Sequence, residues 1–227
     1  MQGSAEIVAG AAGLPKVVIS AADGARAEAY LYGAHVTSWV PAGGEERLYL
    51  SPQADYRPGA AIRGGAPVVF PQFSGMGPLP KHGFLRNLPW EYLGAHEEAD
   101  RITAEFAIVE NEQTLALWPH RFRGRLAVTA DKVQEDAALR FVGEVDRIYF
   151  AAPRQVTLAE PGRRLTVAAE RFPDVVVWNP GPALAATLAD LPPGGYGQFV
   201  CIEAAIVGRP IELLPGQTWQ GSQTLTA

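Results

Sequence analysis

The chain has 227 residues, of which 48% are hydrophobic and 19% are charged, and its formal net charge is −5 at pH 7. This composition excludes intrinsic disorder, and the acidic balance argues against nucleic acid or an anionic membrane as the partner. An anionic ligand would therefore need local basic side chains. The single cysteine, Cys201, excludes an intrachain disulfide bond and indicates a reducing compartment. Together with the absence of a long apolar run, this predicts a soluble cytoplasmic protein.

The predicted elements are almost all strands. In RITAEFAIVE, apolar residues alternate with polar ones, which is typical of a strand buried on one face. The same pattern recurs in AEAYLYGAHVTSWV, RLAVTA and RQVTLAEPGRRLTVAAE. The last of these predicts a hairpin that turns at Pro161 and Gly162.

The carboxyl-terminal part continues the pattern. DVVVWNP and GQFVCIEAAIV predict more fully buried strands, and IELLPGQTWQGSQTLTA predicts a turn followed by a last strand. The best helical candidate is a short turn near ALAATLADL. Many short strands separated by 24 glycines and 19 prolines predict an all-β protein, a large antiparallel β-sandwich with few short helices. We expect a single domain over residues 1–227, since all-β sandwiches of this size commonly form one unit.

A basic loop interrupts this pattern in RGGAPVVFPQFSGMGPLPKHGFLRNLPW. Prolines at positions 67, 71, 78, 80 and 89 remove amide donors and exclude a regular helix. The segment is therefore predicted to be a shaped loop that carries Arg63, Gln72, His82 and Arg86.

The usual catalytic motifs are missing from the sequence. It has no cysteine pair for zinc, no His-Glu-x-x-His, no Walker loop and no Gly-x-Ser-x-Gly elbow. What remains is a set of polar side chains within apolar segments: His35, Arg63, Gln72, His82, Arg86, His120, Asp146, Asn179 and Glu203. A lone histidine on a strand is more often structural than catalytic, so each of these also has a purely structural interpretation.

Glu203 is the most informative of the set, because it interrupts one of the most apolar segments of the chain. Burying a carboxylate costs several kcal/mol unless partners offset that cost. It can be a structural ion pair with Arg63 or Arg86, or a general base in a cleft. Asp146 is predicted to end a polar turn before an aromatic strand, and surface capping is its structural alternative.

Five segments together resemble the glucose-6-phosphate 1-epimerases, or hexose-6-phosphate mutarotases. They are, in order, LYGAHVTSWVPAGGEERLYLS, the basic loop, GEVDRIYF, VVVWNPGPA and YGQFVCIEAA. The resemblance extends from about Ala25 to the end of the chain. It implies the galactose-mutarotase-like β-supersandwich fold, a monomer, and interconversion of the α and β anomers of hexose 6-phosphates without a metal or an organic cofactor.

The resemblance also implies roles for individual residues. Glu203 would be the base that removes the proton from the anomeric hydroxyl, and Gln72 and His82 would line the same sugar pocket. If the second catalytic histidine of the family is absent, the proton donor to the ring oxygen would have to be His82 or water. The other members of the site would be Arg63 and Arg86, which bind the 6-phosphate, and Asp146, which binds sugar hydroxyls. A carboxylate and an imidazole suit this chemistry because their pKa values can be tuned toward neutrality.

The chain departs from the family at one position. Family members carry a second catalytic histidine between the segments that resemble WPHRF and EVDRIY, whereas all four histidines of this chain lie at or before His120. The intervening family strands are therefore predicted to be missing near Val133 and Gln134. A natural deletion, residues lost from the recorded sequence, and a divergent member without catalysis remain open. Besides a mutarotase, a noncatalytic sugar-phosphate-binding β-sandwich and an aldose 1-epimerase for unphosphorylated sugars are the alternatives.

Overall fold

The structure, a computed structural model, describes residues 2–98, 101–130, 144–160 and 162–227. The chain divides into two compact units, Met1–Lys132 and Val133–Ala227. The prediction of a single domain over residues 1–227 stays a prediction. None of the described helices is long and apolar enough to cross a membrane.

The first unit contains two antiparallel sheets, with strand orders β1-β2-β3-β4 and β5-β6-β7. The seven strands are β1 Ser4–Ala9, β2 Pro15–Ser20, β3 Arg26–Tyr30, β4 His35–Val40, β5 Glu91–Glu98, β6 Arg101–Val109 and β7 Arg123–Ala130. Short 3-10 turns lie at Ala11–Gly13 and Leu85–Asn87.

The core of this unit follows from the alternation seen in the sequence. In β6, Ile102, Ala104 and Phe106 are buried, and the residues between them are only partly covered. Val17 and Ile19 of β2 are also buried, and β2 packs against β6. The two sheets therefore bury one apolar face each, as the period of two predicts.

The second unit also contains two antiparallel sheets, with strand orders β13-β10-β9 and β12-β11-β8. Its strands are β8 Val145–Tyr149, β9 Gln155–Glu160, β10 Arg163–Glu170, β11 Asp174–Asn179, β12 Cys201–Ala205 and β13 Ser222–Thr226. The predicted hairpin is confirmed, since β9 and β10 pair with Glu160 opposite Arg163. The all-β, antiparallel fold class is therefore confirmed for the described residues.

The described residues contain two α-helices, and both are short. The first, α1 Glu112–Leu117, was missed in the sequence because six residues are too few for an amphipathic period. It begins with a reciprocal cap, in which the Asn111 side chain accepts from the Thr114 amide and the Thr114 hydroxyl accepts from the Asn111 amide. The second, α2 Gly181–Ala185, coincides with the start of the predicted helical turn.

Asp174, at the start of β11, ties two loops of the second unit to the sheet. Its carboxylate accepts hydrogen bonds from the backbone amides of Val207 and Gly208, each at 2.8 Å, and from Ala151 at 3.4 Å. Burial opposes ionisation, but the amide donors outweigh it and lower the pKa of Asp174. This buried carboxylate is therefore satisfied by backbone donors.

Candidate functional site

The basic loop of the first unit is shaped by the side chain of Gln72. Its Nε2 donates to the carbonyls of Ser74 and Leu79 at 3.1 and 2.9 Å, and its Oε1 accepts from the Leu79 amide at 3.0 Å. Three bonds to backbone leave one lone pair of Oε1 for a ligand. Gln72 therefore stabilises the loop through its hydrogen bonds. Its contact with a sugar stays a prediction.

Gly83 holds the return of the loop against Phe70. It has a φ of +69°, and a Cβ at this position would lie 2.0 Å from the Phe70 carbonyl oxygen. The next amide, that of Phe84, donates to the same carbonyl at 3.0 Å. Only glycine fits here, because both the left-handed backbone and the close approach exclude a side chain.

Aromatic side chains surround the start of this loop. Phe70 contacts Trp118 edge-on, with ring centroids 5.4 Å apart, and Phe122 at 5.7 Å. Phe122 in turn contacts Phe84, at 6.1 Å. These rings support both ends of the segment from Phe70 to Phe84, which fixes the backbone next to His82 and Arg86.

The charges of three cationic side chains act on His82. Burial and then the charges of Arg86, Lys81 and Arg63, in that order, lower the pKa of His82 to about 4. Arg63 and Arg86 are half-buried, Lys81 is exposed, and Arg86 Nη2 donates to the Lys81 carbonyl at 3.2 Å. Arg63, Lys81, His82 and Arg86 all belong to the first unit, and the predicted shared site of Arg63, His82 and Arg86 stays a prediction.

The ring of His82 is held in one tautomer. Its Nδ1 accepts from the Ser74 amide at 3.3 Å, and its own amide donates to the Ser74 carbonyl at 2.9 Å. Since the backbone N–H can only donate, Nδ1 carries no proton and the neutral ring presents Nε2–H as its donor. His82 is consequently a neutral hydrogen-bond donor near pH 7, not a charged acid.

His35, the first residue of β4, contacts the backbone that follows Arg63. It is 1% exposed, and its Nε2 donates to the Gly64 carbonyl at 2.7 Å. Burial is the main cause that lowers the pKa of His35 to about 4, and the charge of Arg86 acts in the same direction. The Gly64 hydrogen bond opposes both effects.

The two predicted carboxylates share one face of a sheet in the second unit. Glu203 of β12 pairs with Val176 of β11, which pairs with Ile148 of β8. Asp146 lies two residues before Ile148, so its side chain projects to the same face as that of Glu203. Two strand spacings and two residues separate their Cα atoms by roughly 12 Å.

The structure differs from the sequence-based predictions for the backbone at Asp146 and around Glu203. Asp146 is the second residue of β8 and is exposed, so it does not end a turn. Glu203 is half-buried in a five-residue strand, and the preceding GYGQ forms a 3-10 turn rather than part of the strand. The long buried strand predicted over GQFVCIEAAIV is therefore wrong at both ends.

Trp178 and Asn179 complete this part of the second unit. Trp178 pairs with Cys201 on one side and Asp146 on the other, which puts it on the carboxylate face between the two edge strands. Asn179 Nδ2 donates to the carbonyls of Tyr196 and Phe199 at 2.7 and 2.6 Å, and its Oδ1 accepts from the Gly181 amide at 2.9 Å. Asn179 therefore has the structural role and positions the segment that leads into β12.

The remaining candidate, His120, is exposed, and its ring lies 4.6 Å from that of Trp118. Sequence reasoning missed Lys81, although its place next to His82 was a signal. Among the described residues, no group of three or more His, Cys, Asp or Glu side chains could hold a metal ion.

Replacing Gly83 with alanine is expected to destabilise the first unit by at least about 2 kcal/mol more than Gly43→Ala. Gly43 has nearly the same φ, +66°, but its Cβ would meet nothing within 4 Å. The two variants therefore share the left-handed backbone strain, and only Gly83→Ala adds the clash with Phe70. Urea denaturation of both measures the difference, and equal losses would contradict the close approach.

His35 predicts an acid-sensitive stability. The pKa of His35 in the folded state, about 4, lies below the ordinary value of 6.5. Its contribution to the free energy of unfolding is therefore complete above pH 6.5 and is lost as the pH falls toward 4. The loss over this window is on the order of 3 kcal/mol. His35→Gln keeps a donor for Gly64 but cannot titrate, so its unfolding free energy should fall less between these pH values. If the unfolding free energies of wild type and His35→Gln fall equally with pH, the titration of His35 is not the cause.

Comparison with solved structures gives the class of the fold. The crystal structure of a "putative mutarotase (YeaD)" from Salmonella typhimurium matches with a TM-score of 0.83 and 27% identity. The match covers 94% of this chain and 90% of that chain. The all-β fold predicted from the sequence is therefore a mutarotase fold.

Sequence comparison gives the family. The family model described as aldose 1-epimerase matches residues 15–134 and 126–226. A Cenchrus ciliaris protein named "Putative glucose-6-phosphate 1-epimerase" is 32% identical over 98% of this chain and 88% of its own length. An Escherichia coli protein of the same name is 34% identical over 77% of this chain and 78% of its own length. The chain belongs to the aldose 1-epimerase family, whose members are sugar epimerases.

The comparisons also bear on the predicted missing segment. The match with the Cenchrus protein extends over 288 residues, although this chain has 227. The relative therefore has residues within the matched region that this chain lacks. The two family-model matches meet between residues 126 and 134. Val133 and Gln134 themselves lie outside the described residues.

Proposed function

We propose that this chain interconverts the α and β anomers of hexose 6-phosphates, with glucose 6-phosphate as the representative substrate. The observation that supports the proposal is the positive charge of Arg63, Lys81 and Arg86 acting on His82, in a loop where Arg86 Nη2 donates to the Lys81 carbonyl at 3.2 Å. A protein with a net charge of −5 has no general field for anions, so a local group of cations suits an anionic ligand. The names of the Cenchrus and Escherichia coli relatives support the same substrate.

In this proposal the phosphate is bound by Arg63 and Arg86, with Lys81 as a third cation. Guanidinium groups bind phosphate oxygens through charge-assisted, often bidentate hydrogen bonds. A neutral sugar has no need of these charges. The site is therefore proposed to favour phosphorylated over unphosphorylated sugars.

The chemistry proposed for the second unit is proton transfer. Glu203 removes the proton from the anomeric hydroxyl, and Asp146, on the same sheet face, binds sugar hydroxyls. Ring opening also requires a proton on the ring oxygen. His82 is neutral and already accepts from the Ser74 amide at Nδ1, so water is favoured as the proton donor. His82 is then proposed to donate a hydrogen bond to the ligand through Nε2–H.

The proposed reaction needs neither a metal nor an organic cofactor, and we propose that the protein works as a cytoplasmic monomer. Because no histidine follows His120, the rate is expected to lie well below that of relatives with two catalytic histidines. A rate of anomer exchange for glucose 6-phosphate equal to that of the Escherichia coli relative would contradict this expectation.

A noncatalytic sugar-phosphate-binding protein is the second candidate, favoured by the neutral state of His82. Measuring both binding and anomer exchange on the same sample distinguishes the mutarotase from the noncatalytic binding protein. Binding of glucose 6-phosphate without faster exchange would identify the binding protein. Equal binding of glucose and glucose 6-phosphate would instead favour an aldose 1-epimerase for unphosphorylated sugars.

A further inference from the structure

The turn between β3 and β4 contacts the backbone beside Arg86. The Gly33 amide donates to the Leu88 carbonyl at 2.7 Å, and the Trp90 amide donates to the Leu31 carbonyl at 2.8 Å. Gly33 has a φ of +78°, and a Cβ there would lie 2.5 Å from the Arg86 carbonyl oxygen. The position of the Arg86 backbone thus depends on a residue without a side chain at position 33.

The same short segment contacts the backbone beside Arg63. His35 donates to the Gly64 carbonyl at 2.7 Å, and the Ala66 amide donates to the Val36 carbonyl at 2.8 Å. A Cβ on Gly65 would lie 2.3 Å from the Val36 carbonyl oxygen and 2.8 Å from His35 Nε2. The chain after Arg63 therefore lies directly against His35 and Val36.

Further bonds leave the Arg63 segment little freedom. The Ser51 amide donates to the Arg63 carbonyl at 3.0 Å, and the Gly65 amide donates to the Tyr49 carbonyl at 2.8 Å. His35 is 1% exposed, so its hydrogen bond to Gly64 is shielded from water. The backbone of Arg63 is consequently fixed from two sides.

We propose that the segment Gly33–Val36 is a spacer that sets the separation of Arg63 and Arg86, and so determines how strongly the site selects a phosphorylated sugar. The inference rests on the proposed function and deepens it. Gly33 and His35 are two residues apart, so at most about 7 Å of chain separates the contacts to the two arginine segments. If the spacing of the two arginines is fixed before binding, less conformational entropy is lost when the phosphate binds.

The charges agree with this geometry. Arg63 and Arg86 both act on the pKa of His82, and Arg86 also acts on that of His35. Both guanidinium groups therefore contribute positive charge at the same imidazole, which suits an anionic ligand there. A change in the spacer should weaken phosphate binding while leaving the neutral sugar contacts unchanged.

The test compares Gly33→Ala with Gly13→Ala. Gly13 has a φ of +75°, and its Cβ would meet nothing within 4 Å, so the control carries the backbone strain without a contact. Titrations with glucose 6-phosphate and with glucose, followed by NMR shifts, give the two affinities of each folded variant. We expect Gly33→Ala to lose at least about tenfold in affinity for glucose 6-phosphate, with glucose and the control unchanged.

A second pair keeps the test decisive if Gly33→Ala does not fold. His35→Gln retains a donor for Gly64 and should bind glucose 6-phosphate within about threefold of wild type, whereas His35→Leu lacks the donor and should lose about tenfold. The proposed spacer role of Gly33–Val36 would be contradicted if His35→Leu kept the wild-type affinity for glucose 6-phosphate. It would also be contradicted if His35→Leu lost affinity equally for glucose and glucose 6-phosphate. A wild-type protein without preference for glucose 6-phosphate would overturn the proposed function itself, and the spacer with it.

Discussion

Replacing Glu203 with glutamine is expected to lower the catalysed rate of anomer exchange by about a hundred- to ten-thousand-fold. Glutamine keeps the size and polarity of the side chain but cannot accept a proton. Glu203 lies in β12 and is half-buried, so the exchange should leave the strand in place. Saturation kinetics with glucose 6-phosphate should show the loss in kcat, with KM changed by less than about threefold.

The matched control for this variant is Glu212→Gln, an exposed glutamate of the same unit. It loses the same charge at an exposed position outside the strands, so its kcat should remain that of wild type. A Glu203→Gln protein that is folded and keeps more than half of the wild-type kcat would remove Glu203 from the role of base.

Replacing Arg63 with glutamine is expected to raise KM for glucose 6-phosphate by about tenfold to a hundredfold, because charge-assisted hydrogen bonds contribute about 1.5–3 kcal/mol. Affinity for glucose should not change. Arg63→Lys keeps the charge but loses the planar pair of donors, so an intermediate KM is expected. The Nη2 of Arg86 donates to the Lys81 carbonyl, so a change at Arg86 would also remove a hydrogen bond of the loop.

Arg125→Gln is the control for this second prediction. Arg125 is exposed in the middle of β7, in the same unit, and its loss changes the net charge by the same amount. If Arg63→Gln and Arg125→Gln raise KM equally, the effect comes from the overall field of the protein. Phosphate binding by Arg63 would then be contradicted.

The sequence predicted the strands well where one face is buried. The alternation of Ile102, Ala104 and Phe106 corresponds directly to the buried face of β6, because period two is a property of each residue and its next neighbours. The segment before Glu203 could not be predicted in this way. Gly195–Gln198 form a 3-10 turn there, and Asn179, 17 residues before Tyr196, donates to the Tyr196 carbonyl.

For the candidate site, the sequence allowed residues to be proposed but not their charge states. Arg63, His82 and Arg86 could be anticipated as candidates from the proline- and glycine-rich loop, and their roles stay predictions. The neutral state of His82 could not, because it depends on the field of Arg86, Lys81 and Arg63 and on the Ser74 amide. The role of Gly33 was equally hidden, since only the fold brings Arg86 against it.

The most direct test of the account is two-dimensional NMR exchange between the C1 signals of the α and β anomers of glucose 6-phosphate, with glucose measured in parallel. The account predicts that the 227-residue protein accelerates exchange of glucose 6-phosphate more than that of glucose, and that Glu203→Gln abolishes the acceleration. Exchange of glucose 6-phosphate at the rate of buffer alone, with folded wild-type protein at saturating substrate, would contradict it.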